Sequence, residues 1–256
     1  MEKSLIIQRE EGVATIFLNK AGAGNTFDEQ MVKDLTEALL ELEESTDIKV
    51  IVLKGNGVDF SQGADHQWDE RRSQLSYEDC HQDCMEVAKM LYVFFSLTKP
   101  TVVVAHGHVQ GLAVGLVAAA DVAMCTENTT FAMTDVRYGL IPSLIAPYVV
   151  RAIGQRFMKR YSLTAEPFSG KKACEMGLVH NCYATAEILT SQLTNAIDHL
   201  CNNQPEAMRL TKQLAEIVSE HSIDDQVLES TSEWLSNRIQ SDEAKAQLST
   251  LIKDKM

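Results

Sequence analysis

The chain has 256 residues, 45% of them hydrophobic and 23% charged, with a formal net charge of −13. That length and make-up suit one large globular core, or a core with a smaller appendage. The acidic balance argues against a nucleic-acid partner, which needs clustered Lys and Arg. No apolar run reaches the roughly 18 residues of a membrane span, and the opening MEKSLIIQREEG is too interrupted for a signal peptide. A cytoplasmic protein with no membrane or nucleic-acid partner is therefore expected.

In chain order, GVATIFL (12–18) reads as a strand. Residues 28–44 read as a helix whose apolar stripe is Met31, Val32, Leu35, Ala38, Leu39 and Leu42. Thr26 followed by Glu29 has the spacing of a capping box for that helix. KVIVLKG (49–55) reads as a buried strand bounded by glycine, and residues 77–95 as a helix ended by Thr-Lys-Pro. TVVVA (101–105) is a further strand, followed by a glycine turn, a helix to about Ala120, and short strands near DVAMC and TTFAM. Strand and helix alternate, so the fold class is α/β. After Pro142 the pattern is helical apart from one late strand in GLVHNCYA, and helices are predicted over 188–201, 206–220, 224–238 and 242–253. The expected organisation is an α/β core over 1–190 and a C-terminal helical lid or oligomer contact over 191–256.

Gly107, Gly111 and Gly115 recur at every fourth position of GHVQGLAVGLVAAAD, although a helix interior loses about 1 kcal/mol per glycine relative to alanine. Two explanations are open. Glycines four apart on one helix face admit a second backbone, and a strand, glycine turn and helix start together present backbone N–H groups that hold a negative oxygen. DFSQGADHQW (59–68) has the same features: its glycine lets the N–H of Ala64 point into open space. Two such donors converging on one oxygen form an oxyanion hole, worth about 3 to 4 kcal/mol per donor in a transition state. A third stretch, FAMTDVRYGLIP (131–142), places Asp135 after a short strand, where a helix N-cap or a surface ion pair with Arg137 is the plain alternative. Six cysteines lack paired metal-ligand spacing and read as reduced thiols, including Cys80 and Cys84, four apart on a helix. No metal is expected. AGAGN (21–25) lacks the third glycine of a nucleotide loop, and no GxSxG, HExxH or P-loop pattern occurs.

The order and spacing of Phe60–Asp65, Lys99–Leu116, and Asp135 before Gly139-Leu140-Ile141-Pro142 resemble the crotonase superfamily, the enoyl-CoA hydratases and isomerases. Within it, the stretches NTFDEQMVKDLTEAL, GADHQW, AVGLVAAADVAM and DVRYGLIPSLIAPYVVRAIGQR are most similar to the bacterial 3-methylglutaconyl-CoA hydratase branch of leucine and isoprenoid catabolism. The resemblance implies a spiral of ββα units with a C-terminal helical region that forms a homotrimer or dimer of trimers. It implies a hydratase of a short or branched 2-enoyl-CoA, placed in fatty-acid or leucine breakdown, whose only cofactor is the coenzyme A of its own substrate. The alternatives are an enoyl-CoA isomerase and a catalytically silent acyl-CoA-binding protein.

By the same resemblance, the Ala64 and Leu112 N–H groups hold the thioester oxygen and Asp135 is the acid or base. The family's first glutamate is replaced by Gly115, and its usual glycine by Leu112. Coenzyme A recognition is expected from Asn19, Lys20, Ala21, Gln62, Ala64, Asp65, His66, Gln67, Gly111 and Leu112, with Lys20, Arg71 and Arg72 as candidate phosphate partners. His106, His108 and His66 are candidate substitute proton carriers.

Overall fold

The structure, a computed structural model, describes residues 3–219 and 222–253. It divides into two compact units, residues 1–202 and 203–256.

Hydrophobic alternation explains the first unit. Strand β2 (Val13–Leu18) buries every second residue, whereas β3 (Val50–Gly55) and β4 (Thr101–Ala105) are buried almost throughout. Ile51 and Leu53 of β3, with Val103 and Ala105 of β4, face one apolar core, while Val50, Val52, Val102 and Val104 face a second. Both sides of this region are therefore covered, as parallel strands require. The main sheet runs β1 (Leu5–Glu10), β2, β3, β4, β6 (Val122–Thr126), β9 (Asn181–Tyr183). It is parallel except for the β1–β2 hairpin. A three-stranded sheet carries β5 (His108–Gln110), β7 (Thr130–Ala132) and β8 (Phe168–Ser169). The chain thus passes from the main sheet to the small sheet twice, β4 to β5 and β6 to β7, which is the repeat of the expected spiral.

Helix α1 (Glu29–Glu44) buries the six predicted stripe residues, but its cap is Asp28, whose carboxylate accepts the Met31 N–H at 2.9 Å. The Thr26 capping box does not form, because Asp28 lies at the helix boundary and takes that role. Helices α2 (His66–Arg72) and α3 (Tyr77–Ser96) follow, then α4 (Leu112–Ala119) and α5 (Ala146–Thr164), which kinks at Gly154. Short α6 (Gly170–Met176) precedes α7 (Ala186–Asn202). Leu189 and Leu193 of α7 join the second core, so this helix belongs to the first unit and the division falls at 202/203 rather than 190/191.

The second unit holds α8 (Pro205–Ser219), α9 (Asp225–Gln240) and α10 (Asp242–Lys253). The predicted end of the first of these, Glu220, lies outside the described residues. These helices form an open apolar pocket of about 440 Å³, lined by Leu210, Leu214, Trp234, Leu235, Ile239 and Leu248 among others. Among the described residues, no helix is long and apolar enough to cross a membrane.

Candidate active site

Two turns lie side by side where β3 and β4 end. Phe60 N–H donates to the His106 carbonyl (2.8 Å), Ser61 N–H to the His108 carbonyl (3.1 Å), and Gln110 N–H to the Ser61 carbonyl (3.0 Å). Gly107 makes this approach possible. Its φ is +57°, and a Cβ there would lie 2.0 Å from the Val58 carbonyl oxygen and 2.9 Å from Asp59 Cα. Farther along, a Cβ on Gly63 would meet the Gln110 carbonyl oxygen at 2.8 Å. Ala64 and Leu112 each follow a glycine with positive φ, Gly63 at +89° and Gly111 at +49°. Leu112 is the first residue of α4, where helical geometry leaves the N–H without an internal acceptor. Among the described residues neither N–H donates to an acceptor.

The three glycines four apart therefore have three different roles. Gly107 permits the turn-to-turn approach, and Gly111 (φ +49°, ψ −117°) caps α4 in a conformation suited to glycine. Only Gly115 lies inside a helix. A Cβ there would be 2.4 Å from Ile145 Cγ2 and 2.8 Å from Ile145 Cβ, so the buried Ile145 side chain fills the space a residue 115 side chain would use.

Asp135 opens a 3₁₀ turn (Asp135–Tyr138). Its Oδ2 is buried and has no hydrogen-bond partner. Burial pushes its carboxyl above the usual range, its own backbone N–H opposes that, and the charge of Asp69 adds to the rise. The predicted ion pair with Arg137 does not form, because that guanidinium donates to the Ala165 carbonyl at 2.6 Å. A carboxyl group held toward its neutral form, with an unused oxygen, is suited to proton transfer.

The other candidate residues have varied surroundings. Asp65 caps α2, accepting from the Gln67 and Trp68 N–H groups at 2.9 and 3.1 Å. His66 and Gln67 are exposed on the first turn of α2, and the His66 ring lies 5.5 Å from that of Tyr138. Ala21 is exposed, while Asn19 is buried and bonds the Lys3 carbonyl. Lys20 is paired with Asp28 at 2.5 Å. Arg72 proves to be a structural residue. It stacks 4.3 Å from the Trp68 ring centroid, reaches Asp69 at 3.1 Å and Asp83 at 2.7 Å, and donates to Cys84 Sγ at 3.2 Å. Arg71 remains exposed.

Asp59 has a role that apolar periodicity and motif spacing do not mark. It is buried, and its Oδ1 accepts from both the N–H and Nδ1 of His108 at 2.8 Å, while Oδ2 accepts from Gln62 Nε2 at 2.8 Å. Burial works against its charge, yet these bonds hold its carboxyl below the usual range. Asp59 thus clips the first turn to the second. Only its place just ahead of the Phe60–Asp65 motif hinted at this. His108 belongs to that clip, and His106 Nε2 lies 3.1 Å from the Gly57 carbonyl, with burial pushing its imidazole below the usual range. Neither histidine is among the groups acting on Asp135.

The arrangement supplies two unused N–H donors on adjoining turns and one buried, unpartnered carboxyl oxygen. Comparison with known proteins identifies the family. The family profile described as enoyl-CoA hydratase/isomerase matches residues 8–253. A crystal structure of an enoyl-CoA hydratase from Shewanella pealeana superposes with a TM-score of 0.94 at 32% identity, covering 98% of this chain and 94% of that one. A Thermus thermophilus protein provisionally named as an enoyl-CoA hydratase is 30% identical over 210 residues, 82% of this chain and 83% of its own. The hydroxycinnamoyl-CoA hydratase-lyase of Pseudomonas fluorescens is 26% identical, over 82% of this chain and 77% of its own.

Proposed function

Because the chain belongs to the enoyl-CoA hydratase/isomerase family, we propose that it adds water across the double bond of a short or branched 2-enoyl-CoA. The observation that carries this reading is the buried, unpartnered Oδ2 of Asp135 in a fold that also leaves the Ala64 and Leu112 N–H groups unused. The two donors hold the thioester oxygen. As the enolate forms, negative charge grows on that oxygen and the donors bind it more strongly than in the ground state, which is what lowers a barrier. Asp135 delivers the proton to the α-carbon. Every step is a proton transfer or an addition, so the reading calls for no metal or redox group beyond the coenzyme A of the substrate. Its nucleotide end lies along Lys20, Ala21, Gln62, Asp65, His66 and Gln67. A 3-methylglutaconyl group would carry a second carboxylate, for which the exposed Arg71 is the partner of choice. The apolar side chains on α8 to α10, with Leu228 and Leu235 exposed, support self-association of the chain as a trimer or dimer of trimers.

One observation favours a second reading, isomerisation of a 3-enoyl-CoA. Ile145 occupies the space at Gly115, so no carboxylate fits there, and a single carboxyl group suffices to move a proton between two carbons. The two reactions separate in H₂¹⁸O with crotonyl-CoA and a 3-enoyl-CoA as substrates. Hydration puts ¹⁸O into the product and abolishes the enoyl-thioester absorbance, and Asp135→Asn stops both. Double-bond migration without ¹⁸O would establish the isomerase. Binding of either ester without turnover would leave a silent acyl-CoA binder.

A further inference from the structure

Hydration needs a group to take a proton from water as well as one to give a proton to carbon, and position 115 holds no side chain. Helix α2 offers another carboxylate. His66 and Asp69 stand three apart on α2 and so share a face. Asp135 and Tyr138 stand three apart in a 3₁₀ turn, where such positions eclipse. The His66 and Tyr138 rings meet with centroids 5.5 Å apart. That contact brings the start of α2 against the end of the turn, with Asp69 and Asp135 each three residues along its own element from the touching rings. The Asp69 charge acts on Asp135 and raises the proton affinity that burial has already increased.

Asp69 is also held in place. Arg72 Nη1 lies 3.1 Å from its Oδ1, and the same guanidinium is fixed to α3 through Asp83 at 2.7 Å and over Trp68 at 4.3 Å. One carboxyl group is thus buried with an oxygen that has no partner, and the other is held in place by an arginine.

We propose that Asp69 is the second carboxylate of the active site and takes the proton of the attacking water. The water oxygen bonds to the β-carbon, and one of its O–H bonds breaks, its proton passing to Asp69. The double-bond electrons move toward the thioester, and the α-carbon takes the proton of Asp135. Asp135 then regains a proton from solvent and Asp69 loses one, so the net change is one water added. This inference rests on the hydratase reading above.

The test uses the full chain and two reactions: hydration of crotonyl-CoA, and exchange of the α-protons of butyryl-CoA with D₂O, which needs Asp135 but no attacking water. Asp69→Asn keeps an oxygen for Arg72. Its hydration kcat is expected to fall about 100-fold or more, the range for losing one general acid or base, with KM nearly unchanged and α-proton exchange retained. Asp69→Glu is expected to recover at least part of the lost rate. Hydration by Asp69→Asn at close to the wild-type rate would overturn the proposal, as would parallel loss of hydration and exchange. If the wild-type protein exchanges α-protons yet hydrates nothing, the hydratase reading itself fails, and this inference with it.

Discussion

A carboxyl oxygen kept buried and unpartnered, as Asp135 Oδ2 is, should make the protein less stable than it could be, and Asp135→Asn measures by how much. An unsatisfied buried polar group costs about 1 to 3 kcal/mol, and more if charged. The amide keeps the shape of the side chain and removes the charge. With Asp135 only partly buried as a whole residue, the gain at pH 8 should be about 1 to 2 kcal/mol, and at about 2 to 4 °C per kcal/mol for a chain of this size the melting temperature should rise by about 2 to 8 °C. The sign of the pH dependence follows from linkage. The folded protein holds the Asp135 proton to higher pH than the usual 3.8, so between these two values the native state binds more protons than the unfolded one and stability falls as pH rises. Below pH 3.8 both states are protonated and the advantage of Asn disappears. Thermal melts of wild type and Asp135→Asn at pH 4 and pH 8 should therefore diverge toward pH 8, with the variant the more stable. A variant that melts lower than wild type at pH 8, or a gap that narrows as pH rises, would instead show that Asp135 has a structural partner.

Gly107→Ala places a side chain in the left-handed region at about 1 to 2 kcal/mol and against the backbone of residues 58 and 59, which adds about 1 to 3 kcal/mol of overpacking. A urea midpoint lowered by the equivalent of about 2 to 5 kcal/mol is expected. Gly115→Ala and Ile145→Ala should each destabilise, the second by about 2 to 5 kcal/mol. The double variant should cost less than the sum by about 0.5 to 3 kcal/mol, read from denaturation of all four proteins. Strict additivity would mean that Ile145 does not fill the space at 115. Asp59→Ala removes the acceptor of the two His108 bonds that link the two turns and of the Gln62 bond within the first, and should lower kcat on crotonyl-CoA by more than it raises KM. The reverse pattern would assign Asp59 to substrate binding.

What was legible in the sequence was local or periodic. The stripe from Met31 to Leu42 and the Val-rich β3 and β4 follow directly from apolar spacing. β1 escaped because it is an edge strand with mostly exposed residues, and β5 and β8 because strands of three and two residues show no period. Ala64, Leu112 and Asp135 could be picked out because glycine turns and a carboxylate at these spacings resembled a known family. The roles of Arg72, Asp59 and Ile145 could not. Each depends on groups distant in sequence, such as Asp83, His108 and Gly115, that only the fold brings together.

In the proposed reaction the Leu112 N–H polarises the thioester, and Leu112→Pro removes that N–H. Proline is tolerated at the first position of a helix, and the Gly111 torsions of +49° and −117° are the mirror image of polyproline geometry, which glycine adopts as readily and which suits a residue before proline. Leu112→Pro should lower kcat on crotonyl-CoA by about 100- to 1,000-fold, the value of one oxyanion donor. Leu112→Ala, which loses the same side chain but keeps the N–H, should stay near wild type. Equal rates for the two variants would mean that the Leu112 N–H does not bind the thioester oxygen.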